Sequence, residues 1–119
     1  MGNFQELKVW QRAKDLAVYI YKETGKGNFN RDFGLRDQMR RAAVSIPSNI
    51  AEGDDLDTDK QAVKSFYIAK GSAAEVLTQA IIALEIGYLD RESFSYIENE
   101  CKGISGMLTR LIGARSPSS

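Results

Sequence analysis

From Phe94 to Leu111 the apolar residues Phe94, Ile97, Cys101, Ile104, Leu108 and Leu111 step by 3, 4, 3, 4 and 3. An α-helix turns this spacing into one continuous stripe, whereas a strand needs alternation by two. Three other segments carry related patterns. Leu7, Trp10, Ala13, Ala17, Ile20 and Thr24 line a face between about Phe4 and Thr24. Leu35, Met39, Ala42, Ile46 and Ile50 do so between about Asp32 and Glu52. Val63, Phe66, Ala73, Leu77, Ala80 and Leu84 do so between Asp59 and Gly87, with Lys70 as the polar exception. The breaks between segments are rich in Gly, Asn and Asp: Gly25 to Gly34, Gly53 to Asp59, and Gly87 to Asp90. Four amphipathic helices with short connections predict an all-α, antiparallel up-down-up-down four-helix bundle. Helical hairpins that open and swap, or a bundle that assembles further, are the alternatives.

Local signals refine the boundaries. Thr58-x-x-Gln61 reads as a capping box and Asp90 as an N-cap. Pro47 falls inside the second helix, where it removes a donor and crowds the carbonyl of Ala43. The stripe stays in phase through Ile50, which predicts a kink rather than a break. Ser45, Ser48 and Asn49 are expected to satisfy backbone groups that the proline frees. Gly71-Ser72-Ala73-Ala74 in the third helix predicts close approach of another backbone. A chain of 119 residues supports one domain, placed at 1–113, with 114–119 as a disordered tail.

Composition excludes more chemistry than it suggests. No His and a single Cys remove most zinc and iron sites and the His-assisted nucleophiles. No catalytic residue, cofactor or metal ligand is expected. Gly25-Lys26-Gly27 lacks the P-loop spacing and a preceding strand, so it reads as a helix stop. The carboxylates Glu52, Asp54, Asp55, Asp57 and Asp59 fail the EF-hand pattern, since Asp59 stands where glycine is required. Cys101 occupies a core position, so a buried thiol is expected. The lone cysteine, an N-terminal stretch without a leader pattern and the lack of a long apolar run point to a cytoplasmic protein.

The net charge of zero conceals an asymmetry. Residues 1–50 hold nine basic and five acidic side chains, and residues 51–119 hold seven and eleven. Lys8 and Arg12, and likewise Arg36 and Arg40, are i,i+4 pairs, and Arg41 adjoins the second pair. This basic group on helices 1 and 2 is a candidate phosphate-contacting surface. It is equally a source of salt bridges between helices or subunits. Apolar residues also exceed what one core stripe needs. Val18, Tyr19, Tyr21, Val44, Tyr67, Ile68, Ile82, Ile86, Met107 and Ile112 lie beside the stripes. A second apolar face on a small bundle is usually covered by another subunit. Tyr19, Tyr21, Val44, Tyr67, Ile82 and Ile86 are the candidate interface.

The run Gln38 to Gly53, QMRRAAVSIPSNIAEG, resembles the helix-2 signature of the 23S rRNA intervening-sequence proteins, with Ser45, Pro47, Ser48, Asn49, Glu52 and Gly53 as its motif residues. Leu7 to Ala13, Phe33-Gly34-Leu35, Gly71-Ser72 with Glu75, Thr78 and Gln79, and Gly87 to Leu89 extend the likeness over nearly the whole chain. It is also similar to the accessory variability proteins of diversity-generating retroelements. The resemblance implies a four-helix bundle assembled as a homopentamer, often with a central channel. For the retroelement relatives it implies a basic surface that contacts RNA and a reverse transcriptase. The expected role is therefore a noncatalytic self-assembling scaffold or adaptor. The alternative is an RNA-associated accessory factor using Lys8, Arg12, Arg36, Arg40 and Arg41.

Overall fold

The computed structural model describes residues 3–56 and 58–116. Four helices account for most of them: α1, Lys8–Thr24; α2, Phe33–Asp55; α3, Asp59–Glu85; and α4, Arg91–Arg115. Short 3-10 turns at Phe4–Glu6 and Phe29–Arg31 precede α1 and α2, and no strand occurs among the described residues. Each helix packs on two neighbours, in the cyclic order α1, α2, α3, α4. Cross-helix pairs set the directions. Along α1, Arg12 meets Glu100 and Glu23 meets Ser93. Ser45 meets Ser72 and Gly53 meets Phe66 between α2 and α3. Asp59 meets Arg115 and Lys70 meets Thr109 between α3 and α4. Rising numbers on one helix face falling numbers on the next, so neighbours are antiparallel. The bundle measures 47 × 23 × 22 Å.

The helix starts are chemically specified. Side-chain oxygens of Asp32, Thr58 and Asp90 accept from the amides of Leu35, Gln61 and Ser93 at 3.1, 3.2 and 2.7 Å. Each bond satisfies an otherwise orphaned first-turn donor. The Ser93 bonds hold the Asp90 carboxyl below its ordinary pKa. At the end of α3, Gly87 takes φ +87°, and the amides of Gly87 and Tyr88 return to the carbonyls of Leu84 and Ala83. That pair of bonds is a Schellman closure, which favours glycine at the left-handed position.

α4 follows its predicted stripe, with Phe94, Ile97, Cys101, Ile104 and Leu108 all buried. Ile112, expected on the surface, is also buried, and Leu111 is half-buried. α1 turns slightly from expectation: Val9 and Leu16 enter the core while Leu7 and Trp10 stay half-buried. α3 departs most. Its buried face is Ala62, Ser65, Phe66, Ala69, Ser72, Ala73, Val76, Gln79, Ala80 and Ala83, with Val63, Leu77 and Leu84 at the margin. Alanine carries little hydrophobic signal, yet its small side chain suits the crowded bundle centre.

Helix α2 runs unbroken through Pro47 and three residues past its expected end. The lost donor and ring clash cost about 3 kcal/mol in a helix interior. Burial of Pro47, Ile46 and Ile50 offsets this. The neighbouring polar residues do not mend the gap as expected. Asn49 Nδ2 donates to the Ser45 carbonyl at 2.8 Å, not to that of Ala43, and Ser48 points outward. Gly71 is exposed with open space around it, so the expected close approach falls instead on Ser72 and Ala73. α4 continues through Arg115, which pairs with Asp59 at 2.7 Å, so Ala114 and Arg115, expected in the tail, are helical. Residues 117–119 lie outside the described residues, as does Asp57.

Candidate functional site

The five predicted phosphate-binding cations take different partners. Arg12 reaches across to α4, where Nε and Nη2 donate to Glu100 Oε1 and Oε2 at 3.0 and 3.1 Å. That bond raises the Arg12 pKa, and the guanidinium lies where a Gly103 side chain would stand. Arg36 Nη1 donates to the Asn30 carbonyl at 2.9 Å, and its guanidinium covers the Phe33 ring. Arg40 donates to Thr24 Oγ1 at 2.8 Å and to the Tyr21 carbonyl at 3.1 Å, and stacks on the Tyr21 ring. Arg36 and Arg40 therefore clamp the α1–α2 connection onto α2. Protein acceptors engage part of each guanidinium, while Arg36 Nη2 and Arg40 Nη1 make no hydrogen bond among the described residues. Lys8 and Arg41 alone of the five make no ion pair or side-chain hydrogen bond among the described residues, and they sit on different helices. Arg40 and Arg41, adjacent in sequence, diverge into the α1/α2 and α2/α3 seams.

The acidic surplus is local as well. Glu52, Asp54 and Asp55 end α2 and Asp59 opens α3, so carboxylates gather at one end of the bundle rather than along one side. Among the described residues no three His, Cys, Asp or Glu side chains converge as metal ligands. Cys101 is 2% exposed, and its thiol pKa is pushed up to about 12, first by burial and then by Glu100. The thiolate is the reactive form. Cys101 is therefore expected to resist a disulfide reagent at about pH 8 and to react at least roughly tenfold faster once the chain is unfolded in guanidinium, read by thiol absorbance.

The seam between α2 and α3 holds the most structured polar surface. One cleft of about 240 Å³ is lined by Gln38, Arg41, Ala42, Ser45, Ser72 and Glu75. A second, of about 450 Å³, shares Gln38 and Glu75 and continues over Gly71, Ala74, Thr78, Gln79 and Ile82. Ser72 Oγ donates to Ser45 Oγ at 2.8 Å, and Asn49 Nδ2 donates to the same oxygen at 3.0 Å. Gln79 is 8% exposed, and its Oε1 is buried without a partner. Ser45 and Asn49 thus belong to this groove. Gly53 has a different task, since a Cβ there would stand 2.5 Å from the Phe66 ring. Gln38 and Gln79 are absent from the candidate site residues read from the sequence. A usable signal exists for the first: Gln38, Arg41, Ser45, Ser48 and Glu52 step by 3, 4, 3 and 4 along α2.

The candidate interface residues are mostly exposed. Tyr21, Val44, Tyr67, Ile82 and Ile86 are all on the surface, whereas Tyr19 is half-buried against Tyr96, with ring centroids 4.3 Å apart. Phe33 is 64% exposed, the largest value among the big apolar residues described, and Ile81 and Tyr96 add to them. Tyr21 and Val44 flank the α1/α2 seam. Ile68, Ile82 and Ile86 flank the α2/α3 groove, and Tyr67 and Ile81 lie on the far flank of α3.

The model of the 23S rRNA-intervening sequence protein family matches residues 5–110, covering α1 to α3 whole and most of α4. The chain belongs to that family. The likeness extends to three dimensions. A crystal structure from Bacteroides thetaiotaomicron, of a protein with unknown function from the S23 ribosomal protein family, superposes with a TM-score of 0.80 at 25% identity. The match covers 87% of this chain and 97% of that one. No curated protein matches the chain. Neither the family nor this neighbour carries an assigned catalytic activity. No described helix of this family member is long and apolar enough to cross a membrane.

Proposed function

We propose that this protein is a noncatalytic scaffold or adaptor that assembles from identical copies into a homopentamer. The observation that carries the reading is the set of large apolar side chains left open on several flanks of one small bundle. Scattered surface apolars are ordinary, but the exposed Ile68, Ile82 and Ile86 fall along one flank of α3, beside α2. Light scattering across a range of concentrations tests it. The expected particle is about 66 kDa, five times the 13.2 kDa chain. A particle of one chain mass at every concentration rejects it.

The alternative, an RNA-associated accessory factor, has less support. Of its five proposed phosphate contacts, Arg12, Arg36 and Arg40 already bond within the chain. Arg12 and Arg36 also pair with Glu100 and Asp37, so Lys8, Arg40 and Arg41 alone bring unpaired charge, and three cations on two helices supply little of the counterion release on which such binding rests.

A further inference from the structure

The side of α3 turned away from the core carries a second heptad-spaced series. Tyr67, Gly71, Ala74, Thr78 and Ile81 step by 4, 3, 4 and 3, and all are exposed. A helix places such a series on one line. The line holds no charge between Tyr67 and Ile81, and the Thr78 hydroxyl is spent on its own helix, donating to the Ala74 carbonyl at 2.9 Å. The same steps extend the line to Lys64 and Lys60 at one end and to Glu85 at the other, all three exposed. The charges flanking it are engaged elsewhere: Lys70 donates to Thr109 of α4, and Glu75 shares a cleft with Arg41.

The charges at the two ends are placed against the helix that carries them. A helix is partly positive at its amino end and partly negative at its carboxyl end, so anions suit the first turn and cations the last. On this line α3 does the reverse. Lys60 lies in its first turn, Glu85 is its last residue, and no basic residue stands in its last turn. Asp59, the first-turn carboxylate, is taken by Arg115 of α4. Lys60, Lys64 and Glu85 have no ion-pair partner among the described residues.

A second α3 laid antiparallel on the first relieves both ends at once. Heptad lines running in opposite directions then oppose Lys60 to Glu85, Lys64 to Ile81, Tyr67 to Thr78 and Gly71 to Ala74. This register is symmetric about the level of Ser72 and Ala73, the middle of α3, so the two helices overlap end to end. Each Glu85 carboxylate reaches the positive amino end of the other helix, beside its Lys60. The Lys64 stem covers Ile81 while its ammonium stays in water. A parallel pair would instead set Lys60 against Lys60 and Glu85 against Glu85. We infer that the outward line of α3 pairs antiparallel with the same line of a second copy of this chain. The inference goes beyond the ring of the self-assembly reading, because a two-fold contact joins copies in pairs and cannot by itself close five.

Disulfide trapping reads the register. Lys64→Cys and Ile81→Cys both replace exposed residues, and the native Cys101 is buried and does not compete. Mixed under a mild oxidant, the two variants should give a linked two-chain band, whereas neither should link to itself, since like positions lie about 25 Å apart along the pair. In that background Lys60→Glu should weaken linking about tenfold without lowering the thermal midpoint, because a first-turn carboxylate suits the single helix. Adding Glu85→Lys to the same chain should restore it. No link in the mixture, equal linking of each variant with itself, or linking indifferent to the Lys60→Glu change overturns the inference, and a particle of five chains by light scattering then leaves the ring standing. A wild-type particle of two chains that links as expected rejects the ring and keeps this contact.

Discussion

Replacing Gly53 by alanine should destabilise the fold by about 2 kcal/mol, although alanine is the better helix former. Intrinsic propensity alone favours the substitution by about 1 kcal/mol. Packing opposes it more strongly. The new methyl carbon would stand 2.5, 2.9 and 3.1 Å from three carbons of the Phe66 ring. Phe66 has no exposed surface, so the ring has nowhere to retreat. Overfilling a packed core costs about 1–3 kcal/mol, and here the overlap lies between two long helices that must separate together. Urea denaturation should show a lower midpoint with an unchanged slope. Phe66→Leu removes the obstructing ring, so Gly53→Ala with Phe66→Leu should be less unstable than the two single effects added. Strict additivity would show that the two residues do not meet.

Gln79→Leu should stabilise the fold. Within one chain the Oε1 atom is buried and accepts nothing, a state that costs about 1–3 kcal/mol. Leucine has a similar size and no polar atom to satisfy. The single chain is therefore expected to gain about 1 kcal/mol of stability, measured on dilute protein. The Oε1 atom has no accessible surface in the single chain, so the effect is confined to folding and is read as a raised urea midpoint. A less stable single chain would mean that the amide is satisfied within the fold.

The helix count, the caps at Thr58 and Asp90 and the core stripe of α4 are legible in the sequence because each depends on residues within a few positions of one another. The phase of α3 is less legible. Ala62, Ala69, Ala73, Ala80 and Ala83 line its buried face around Phe66 and Val76, and alanine reads as neutral in a search for large apolar residues. The partners of the cations are illegible for a different reason. Lys8 and Arg12 share a helix face, but Arg12 finds its carboxylate 88 residues away, at Glu100. No local pattern encodes that partner. The same limit applies to Arg40, whose acceptors at Tyr21 and Thr24 are brought near only when the connection folds back. The groove is half legible. Its α2 wall coincides with the helix-2 motif, but its depth depends on how closely Ser45 and Ser72 approach.

Both ends of the bundle are closed, but not equally. At one end Tyr88 donates to Asp32 at 3.1 Å, Ser93 donates to Glu23 at 3.0 Å, and the Phe29 and Tyr88 rings pack 5.2 Å apart. With the Arg36 and Arg40 clamp, these bonds knit the α1–α2 and α3–α4 connections into one knot. At the other end, where Glu52, Asp54, Asp55, Lys60 and Lys64 gather, the ties between helices among the described side chains reduce to the Arg115–Asp59 pair. Thermal breathing should therefore start at the end with the single ion pair and travel toward the knot, so that the molecule unzips from one tip while the other holds the four rods in register.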